Sequence, residues 1–223
     1  MILAMTDHSF PQTAAAEPHV ANIPPSPLSL WQRTAKRCLD VVGSVAGLLV
    51  TSPFLLVAVL LARWDTRASG FFRQERTGLD GKPFQCIKLR TMRDVKGTTV
   101  TTANDPRITP LGHWLRKLKL DELPQLWNVL RGDMSFVGPR PDVAEYTDLI
   151  SGADRVVLSI RPGITGPASI KFRDEAVLLA AQDDPEHYNK TVIYPEKTRI
   201  NRHYIENYSL AGDIVYILRT IIG

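Results

Sequence analysis

The chain has 223 residues, which suffices for one globular domain and an anchoring segment but is short for two full catalytic domains. Its two cysteines, Cys38 and Cys86, cannot form the disulfide framework of a small secreted protein, so a reducing, cytoplasm-facing environment is expected. The formal net charge of +4 is modest, and the basic residues gather beside apolar segments. This pattern favours anionic lipids or phosphorylated substrates over nucleic acid, for which the sequence has no recognisable motif.

The first thirty residues contain five prolines and no basic stretch ahead of an apolar run. A cleavable secretory signal needs both a basic and an apolar region, so this segment does not match one. Its composition is typical of a chain that cannot bury enough apolar surface to fold. We therefore expect residues 1–30 to form a disordered N-terminal tail.

An uncharged run of 22 residues separates Asp40 from Arg63. As one helix it would be about 33 Å long, slightly more than the bilayer's hydrocarbon core of about 30 Å. Pro53 divides the run into arms of about 18 and 14 Å, each roughly half of that thickness. Length alone therefore permits either a proline-kinked spanning helix or a re-entrant helix that turns back at Ser52 and Pro53.

Local chemistry and flanking charge bear on this choice. Pro53 has no N–H for the carbonyl of Leu49 and its ring pushes against that carbonyl, so a bend is expected. The hydroxyls of Thr51 and Ser52 can reach carbonyls one turn earlier, which makes a break tolerable in lipid. Basic residues on both sides of the run favour a cytoplasmic location for both ends; they are Arg33, Lys36, Arg37, Arg63 and Arg67. We therefore expect a re-entrant broken helix over residues 31–67.

The remaining sequence has a mixed α/β pattern. Residues 83–92 predict a strand, and residues 78–82 before it have turn chemistry. Thr109 is suited to cap a helix whose first residue is Pro110. Two segments then carry apolar residues at helical spacing, namely Leu111, Trp114, Leu115 and Leu118 in the first and Ile214, Ile217, Leu218 and Ile221 in the second. Either helix could lie in the lipid headgroup layer or pack on a core, and for the first the periodicity alone favours the core.

The adjacent carboxylates Asp121 and Glu122 stand out among the polar residues, because they follow closely on Arg116, Lys117 and Lys119. Acidic residues in such positions usually cap a helix or are solvated. A carboxylate among fixed cations is, however, suited to attack a phosphoryl centre, because the cations lower its pKa and hold the anionic substrate. A second carboxylate beside it is suited to hold a divalent metal.

Three short motifs carry further cations. Arg140 lies between two prolines that fix its backbone, and a guanidinium can donate two parallel hydrogen bonds to a phosphate. Arg161 opens the stretch RPGITG, a glycine-permissive turn whose amides can cradle an anion. Each motif alone is typical of a structural turn. Together with Lys88 and Arg90 they predict a cationic pocket for a pyrophosphate.

Four stretches of the chain together resemble a known family; they are KRCLDVVGSVAGLLVTSPFLL, RTGLDGKPFQCIKLRTM, LRKLKLDELPQLWNVLRGDMSFVGPRP and RPGITG. They look like the bacterial sugar transferases, the monotopic phosphoglycosyl transferases that begin the assembly of cell-surface glycans. The resemblance runs from about Arg33 to the end of the chain. It implies a mostly helical α/β fold with a re-entrant membrane helix, interfacial amphipathic helices and a small catalytic domain over residues 68–223, on the cytoplasmic face of the bacterial inner membrane.

The resemblance implies transfer of a sugar 1-phosphate from a nucleotide diphosphate sugar, usually a UDP-sugar, to polyprenyl phosphate with Mg2+. Asp121 would be the nucleophile that forms a covalent aspartyl phosphosugar, and Glu122 would support the metal or the geometry of the pair. The family's motifs also imply phosphate-binding or site-organising positions at Lys88, Arg90, Arg116, Arg140, Arg161, Arg173 and Asp213. The product would enter exopolysaccharide, O-antigen, capsule or glycoprotein synthesis, and downstream glycosyltransferases are candidate partners.

Residues 167–169 read Pro-Ala-Ser where many relatives have Trp-Ala-Gln, so the sugar preference stays open. One alternative function is a non-catalytic membrane scaffold that binds polyprenyl phosphate or partner glycosyltransferases; intact Asp121 and Glu122 argue against it. A lipid-phosphate hydrolase would need a water-activating site, and the three histidines after residue 100 are isolated in the sequence; they are His113, His187 and His203.

Overall fold

A computed structural model describes residues 22–93 and 105–222. Residues 1–21 of the expected tail therefore lie outside the described residues. The part of this segment that is described, residues 22–30, packs on the protein. Its Leu28 belongs to the main hydrophobic core and is only 3% exposed.

The first element is a single long helix, α1 (Leu30–Thr66). It begins with a capping box in which Ser29 and Gln32 each bond the other's backbone N–H, and it ends at Arg67, whose backbone is left-handed. Among the described residues it is the one helix long and apolar enough to cross a membrane, judged by length and composition.

Pro53, where the break is expected, lies inside α1, and helical geometry continues on both sides of it. Thr51 donates its hydroxyl to the carbonyl of Gly47 at 2.7 Å, and Ser52 donates its hydroxyl to the carbonyl of Leu49 at 3.1 Å. Leu49 is the residue whose carbonyl Pro53 leaves without a helical N–H partner. The predicted back-bonding of these hydroxyls is therefore confirmed, and it explains how the helix passes through the proline.

The burial pattern of α1 is the reverse of that in a water-soluble helix. Its buried residues are polar or small: Lys36, Asp40, Ser44 and Ala62. Most of its large apolar side chains are exposed, including Leu49, Val50, Phe54, Leu56, Val57 and Leu60. A soluble amphipathic helix buries its apolar face instead. The polar face of α1 thus packs on the protein while its apolar face suits contact with lipid.

Lys36 anchors this polar face. Its Nζ donates to the carbonyl of Val137 at 2.8 Å and to Asp213 Oδ2 at 2.6 Å, and it lies 3.3 Å from the Tyr204 hydroxyl. Asp213 also accepts hydrogen bonds from the hydroxyls of Tyr204 and Tyr208. The Lys36 and Asp213 side chains are 9% and 1% exposed, so this ion pair is held almost entirely away from solvent.

Asp40, one turn later, bonds the strand that contains Val137. Its Oδ1 accepts from the Ser135 hydroxyl at 3.0 Å and from the Phe136 backbone N–H at 2.9 Å. Gly43 lies against the same strand, and a Cβ at this position would come within 2.7 Å of the Phe136 ring. We call the contacts of Lys36 and Asp40 with the protein the polar seam.

The strands form two small sheets. Strands β1 (Phe71–Thr77) and β2 (Pro83–Leu89) pair antiparallel across a turn at Leu79–Gly81, and β3 (Ser135–Val137) pairs parallel with β4 (Gly163–Thr165). The prediction of a strand over residues 83–92 after a turn is confirmed for β2. Strand β1 was not predicted, because its sequence FFRQERT has no regular alternation of apolar and polar residues.

The other described α-helices are α2 (Pro110–Lys117), α3 (Gln125–Arg131), α4 (Ala144–Thr147), α5 (Pro167–Lys171), α6 (Glu175–Ala180), α7 (Pro185–Tyr188), α8 (Tyr194–Glu206) and α9 (Leu210–Ile222), and a 3-10 helix (Gly152–Ser159) and a π-helical segment (Asn189–Ile193) accompany them. The expected mostly helical, mixed α/β class is thereby confirmed. Helix α3 also completes the β1–β2 hairpin: Asn128 Oδ1 accepts from the Ile87 N–H at 3.0 Å, and its Nδ2 donates to the Gln85 carbonyl at 2.8 Å.

The predicted start of α2 is confirmed, since the Thr109 hydroxyl accepts from the Gly112 N–H at 2.9 Å and Pro110 is the first helical residue. Core packing explains only part of the amphipathic patterns in α2 and α9. Leu115 is buried and Ile217 packs partly on the core, but several other apolar residues are exposed. They include Trp114, Leu118, Ile214, Leu218 and Ile221.

The polar seam yields a prediction for stability. Replacing Lys36 by Met should destabilise the fold by about 3–5 kcal/mol, because it leaves the Asp213 carboxylate buried without a cation. The double variant Lys36→Met/Asp213→Asn should recover part of this loss, since a neutral amide can still accept from the tyrosine hydroxyls. Thermal unfolding of the detergent-solubilised full chain measures both effects. A double variant less stable than Lys36→Met alone would contradict the role assigned to the charge.

Candidate active site

The two adjacent carboxylates lie on a short 3-10 turn, Leu120–Glu122, between α2 and α3. Lys119 precedes the turn with a left-handed backbone (φ 57°), which reverses the chain after α2. Asp121 is 8% exposed, and no side chain or backbone group in the described ranges hydrogen-bonds its carboxylate. The Asp121 oxygens are therefore recessed in the protein and uncommitted.

Glu122 is held by two cations. Its Oε1 accepts from Arg140 Nη2 at 2.5 Å and from Lys88 Nζ at 3.3 Å. Burial opposes ionisation of Glu122, but Arg140 and Lys88 together outweigh it and hold the pKa of this carboxyl well below its ordinary value. Glu122 in turn raises the pKa of Arg140. The pair thus consists of one cation-bound carboxylate and one free carboxylate.

The pKa of Asp121 shifts the other way. Burial raises it first and the neighbouring Glu122 charge raises it further, against the opposing effects of Lys88, Arg116 and Arg140. The expectation that surrounding cations would lower this pKa is therefore wrong. The reason is that Glu122 takes direct contact with two of the cations and leaves Asp121 with desolvation and a like charge.

The loop that carries Arg140 is fixed by strand β4. Gly138 donates its N–H to the Thr165 carbonyl at 2.9 Å, and the Gly163 N–H donates to the Pro139 carbonyl at 2.8 Å. A Cβ at Gly138 would lie 2.5 Å from the Arg161 carbonyl oxygen, so only glycine fits this close approach. The bracketing prolines predicted a rigid loop, and the hydrogen bonds to β4 supply the rigidity.

Arg116 also faces the carboxylates, and its Nε donates to the Thr91 hydroxyl at 2.9 Å. Arg90 does not contact Asp121 or Glu122; its Nε bonds the Ser69 carbonyl at 2.8 Å and its guanidinium stacks near the Phe72 ring. Lys88, Arg116 and Arg140 are therefore the predicted cations that the fold brings to the carboxylate pair.

The remaining predicted residues lie in other contacts, which corrects the expectation that these residues form one cationic pocket. Arg161 Nε donates to the Gly132 carbonyl at 2.8 Å, and Arg173 Nη2 donates to the Arg219 carbonyl at 3.0 Å. The Asp213 carboxylate pairs with Lys36 in the polar seam and accepts hydrogen bonds from two tyrosine hydroxyls. Its carboxylate holds α9 to α1 and is not directed at a substrate.

Sequence reasoning missed a second group of charges beside Arg140. Lys197 Nζ bonds Glu175 Oε2 at 2.6 Å, and Asp142 lies near Lys197 and Arg76. Burial raises the pKa of Asp142 in spite of these cations. The four residues are far apart in the chain, so no local motif could have grouped them.

The donor set suits a metal completed by substrate. In residues 22–93 and 105–222, no group of three or more histidine, cysteine, aspartate or glutamate side chains could hold a metal ion. Mg2+ commonly takes one or two protein carboxylates and fills its other positions with water and substrate phosphates. The free oxygens of Asp121, with Glu122 beside them, fit that arrangement.

Cations around a recessed carboxylate pair, next to a helix with an outward apolar face, define a membrane-associated enzyme for an anionic substrate. A family model described as "Bacterial sugar transferase" matches residues 31–223. The chain belongs to the bacterial sugar transferase family, as its motifs predicted, and it is an enzyme of the phosphoglycosyl transferase class.

Relatives in this family include the exopolysaccharide production protein ExoY of Sinorhizobium fredii, 34% identical over 205 residues that cover 84% of each chain. The UDP-glucose:undecaprenyl-phosphate glucose-1-phosphate transferase of Caulobacter vibrioides is 36% identical over 83% of this chain and 68% of its own length. The transferase of the same description in Escherichia coli is 36% identical over 88% of this chain, but only 41% of that protein is matched.

The opposed shifts within the carboxylate pair yield a pH prediction. In the metal-free protein, Asp121 should titrate above the ordinary aspartate value of 3.8, so it takes up a proton earlier as the pH falls. Replacing Glu122 by Gln should move its midpoint to lower pH, because a like charge is removed and Lys88 and Arg140 are freed. Carbon-13 NMR of labelled aspartate carboxyls, assigned with Asp121→Asn, measures both midpoints. An upward shift on Glu122→Gln would refute this electrostatic account.

Proposed function

We propose that this enzyme transfers a sugar 1-phosphate from a UDP-sugar to polyprenyl phosphate, as the first membrane step of surface glycan biosynthesis. The names of the Caulobacter and Escherichia relatives support the donor and acceptor classes, and that of ExoY supports an exopolysaccharide pathway. The observation that carries the proposal is the division of the carboxylate pair: Glu122 is bound by Arg140 and Lys88, whereas Asp121 is recessed with no hydrogen bond to its carboxylate among the described residues.

In the first step, an Asp121 carboxylate oxygen attacks the phosphorus that carries the sugar. The bond from this phosphorus to the oxygen that bridges the two phosphates breaks, and the nucleoside monophosphate leaves with that oxygen and its electron pair. The product on the enzyme is an aspartyl phosphosugar. Arg140, Lys88 and Arg116 face the site and balance the charge of the phosphate oxygens.

Mg2+ held by Asp121 and Glu122 would neutralise charge on the pyrophosphate of the donor. The contribution of Glu122 is to remain ionised, since Arg140 and Lys88 hold its pKa low. It thereby keeps Arg140 and Lys88 beside the nucleophile.

In the second step, an oxygen of polyprenyl phosphate attacks the phosphorus of the aspartyl phosphosugar. The bond between this phosphorus and the Asp121 oxygen breaks, and the carboxylate is regenerated as a polyprenyl diphosphate sugar forms. The recessed position of Asp121 limits competing hydrolysis by water. The outward apolar face of α1 supports delivery of a lipid substrate from the bilayer.

Replacing Asp121 by Asn should reduce nucleoside monophosphate release by at least about 10³-fold, because it removes the covalent nucleophile. The assay incubates purified full chain with Mg2+, polyprenyl phosphate and a panel of UDP-sugars. Asp148→Asn, an exposed aspartate outside the site, serves as the matched control and should stay active. Unchanged release by the Asp121 variant would refute the assignment, and a radiolabelled phosphosugar trapped before lipid is added would test the covalent step directly.

We further propose that α1 is re-entrant and that the catalytic domain lies on the cytoplasmic face of the inner membrane. Contacts on both sides of Pro53 support this. A Cβ at Gly47, before Pro53, would lie 3.1 Å from Leu126 in α3, and a Cβ at Gly70, just after the helix, would lie 2.2 Å from the Val59 carbonyl. The strands that follow Gly70 pack on α3 through Asn128. One domain therefore contacts the helix on both sides of Pro53.

Cysteine accessibility tests this topology. In a background with Cys38→Ser and Cys86→Ser, single cysteines at Asn22 and Ser69 should both react with a membrane-impermeant maleimide only when the cytoplasmic side is exposed. Both positions are exposed and flank α1. Labelling of the two positions from opposite sides of the membrane would refute re-entry and indicate a kinked span.

A further inference from the structure

A cavity of about 610 Å³ lies beside the first turns of α1, lined by different residues from those of the carboxylate pair. One wall is apolar and includes Ile23, Pro24 and Leu28 from the segment before the helix. The lining also includes Arg33 and Arg37 of α1 together with Arg161. Its size is in the range of small-molecule sites, about 300–1,000 Å³. The cavity therefore offers an apolar surface and a cationic surface to the same occupant.

The charge lining the cavity is predominantly positive: four cations, with Lys36 as the fourth, face two carboxylates, Asp40 and Asp80. Lys36 and Asp40 are both committed to the polar seam. Asp80 is exposed to solvent. Three arginines against one exposed carboxylate leave the cavity with a net positive charge, which attracts an anion.

Two of these arginines are held rigidly by neutral partners. Arg37 donates from Nη1 to the Val129 carbonyl at 2.6 Å and from Nη2 to the Leu130 carbonyl at 2.7 Å. Arg161 donates from Nε to the Gly132 carbonyl, and within the described ranges its Nη atoms make no hydrogen bond. These carbonyls at the end of α3 fix the guanidiniums without neutralising their charge.

Arg33 differs from these two arginines in having no partner among the described residues. It is exposed, and across residues 22–93 and 105–222 its guanidinium has no hydrogen bond or ion pair. The Arg33 guanidinium is therefore available to a ligand that enters the cavity. A guanidinium is matched to phosphate oxygens because it donates two parallel hydrogen bonds.

The position along α1 places the cavity at the polar edge of the bilayer. Arg37 precedes Val41, where the uncharged run begins, by about 6 Å along the helix axis, and Arg33 precedes it by about 12 Å. The polar layer of a bilayer is about 5–8 Å thick on each side, so Arg37 lies within it and Arg33 lies just outside it, where long side chains can adjust their depth. A ligand with a phosphate at this depth and an apolar part beside it matches both walls.

We propose that this cavity binds the headgroup of an anionic phospholipid. The lipid phosphate pairs with Arg33 and with the free Nη atoms of Arg161, and the glycerol and first acyl carbons lie against Ile23 and Pro24. A free phosphate ion would leave the apolar wall unused, which favours the lipid. The site is separate from the catalytic carboxylates and orients the enzyme at the membrane surface.

Native mass spectrometry of the full chain in detergent, titrated with dioleoyl phosphatidylglycerol or dioleoyl phosphatidylcholine, tests the proposal. The unmodified chain should retain phosphatidylglycerol in preference to phosphatidylcholine. Arg33→Gln should weaken phosphatidylglycerol binding about fivefold, the effect of one surface cation on an anionic lipid. Arg33→Lys should keep most of the preference, because it keeps the charge.

Arg63→Gln is the matched control, since Arg63 is an exposed arginine at the other end of α1, away from the cavity. It should leave binding unchanged, and Asp121→Asn should do the same, which separates this result from failure of the proposed reaction. Equal retention of the two lipids, or an equal loss in Arg63→Gln, would overturn the proposal. Displacement of the lipid by millimolar inorganic phosphate would overturn its assignment to a phospholipid.

Discussion

The fold depends on an ion pair that attaches a largely apolar helix to the rest of the protein. In α1 the contact face is marked by Lys36 and Asp40, and not by leucines, because leucines are as compatible with lipid as with a protein core. Separating these buried charges from their partners is costly, so the contacts favour one rotation of the helix about its axis. Burial of these charges is in turn tolerable only because Asp213, Val137 and the backbone of β3 receive them.

The same contacts connect the membrane helix to the catalytic group. Strand β3 is bonded by Asp40 at its first two residues and by Lys36 at its last, Val137. Three residues later the chain reaches Arg140, which binds Glu122. Since Gly138 is packed tightly against backbone on the β4 side, this short path has little freedom. The attachment of the helix and the placement of a catalytic cation therefore share one strand.

The sequence predicted the elements whose signals are local. The cap at Thr109, strand β2 and the hydroxyl bonds before Pro53 all follow from neighbouring residues, and the ordered motifs identified the family. The sequence did not predict the environment of each charge. Asp213 is placed in the polar seam by contact with Lys36, 177 residues away, and Asp121 has a raised pKa because burial and the adjacent Glu122 charge outweigh the nearby cations. Such outcomes depend on distances between remote segments, which spacing along the chain does not encode.

Asn128 stabilises the open edge of the small β1–β2 sheet. A two-stranded hairpin has little independent stability, and β2 would otherwise present an open edge. The Asn128 amide bonds both Gln85 and Ile87, so it substitutes for a neighbouring strand at the point that precedes Lys88. One side-chain amide thus helps to fix the strand from which Lys88 reaches Glu122. An aspartate at this position would lose the donor to Gln85 and add a negative charge beside Asp133, so an isosteric change outside the carboxylate pair would disturb the site.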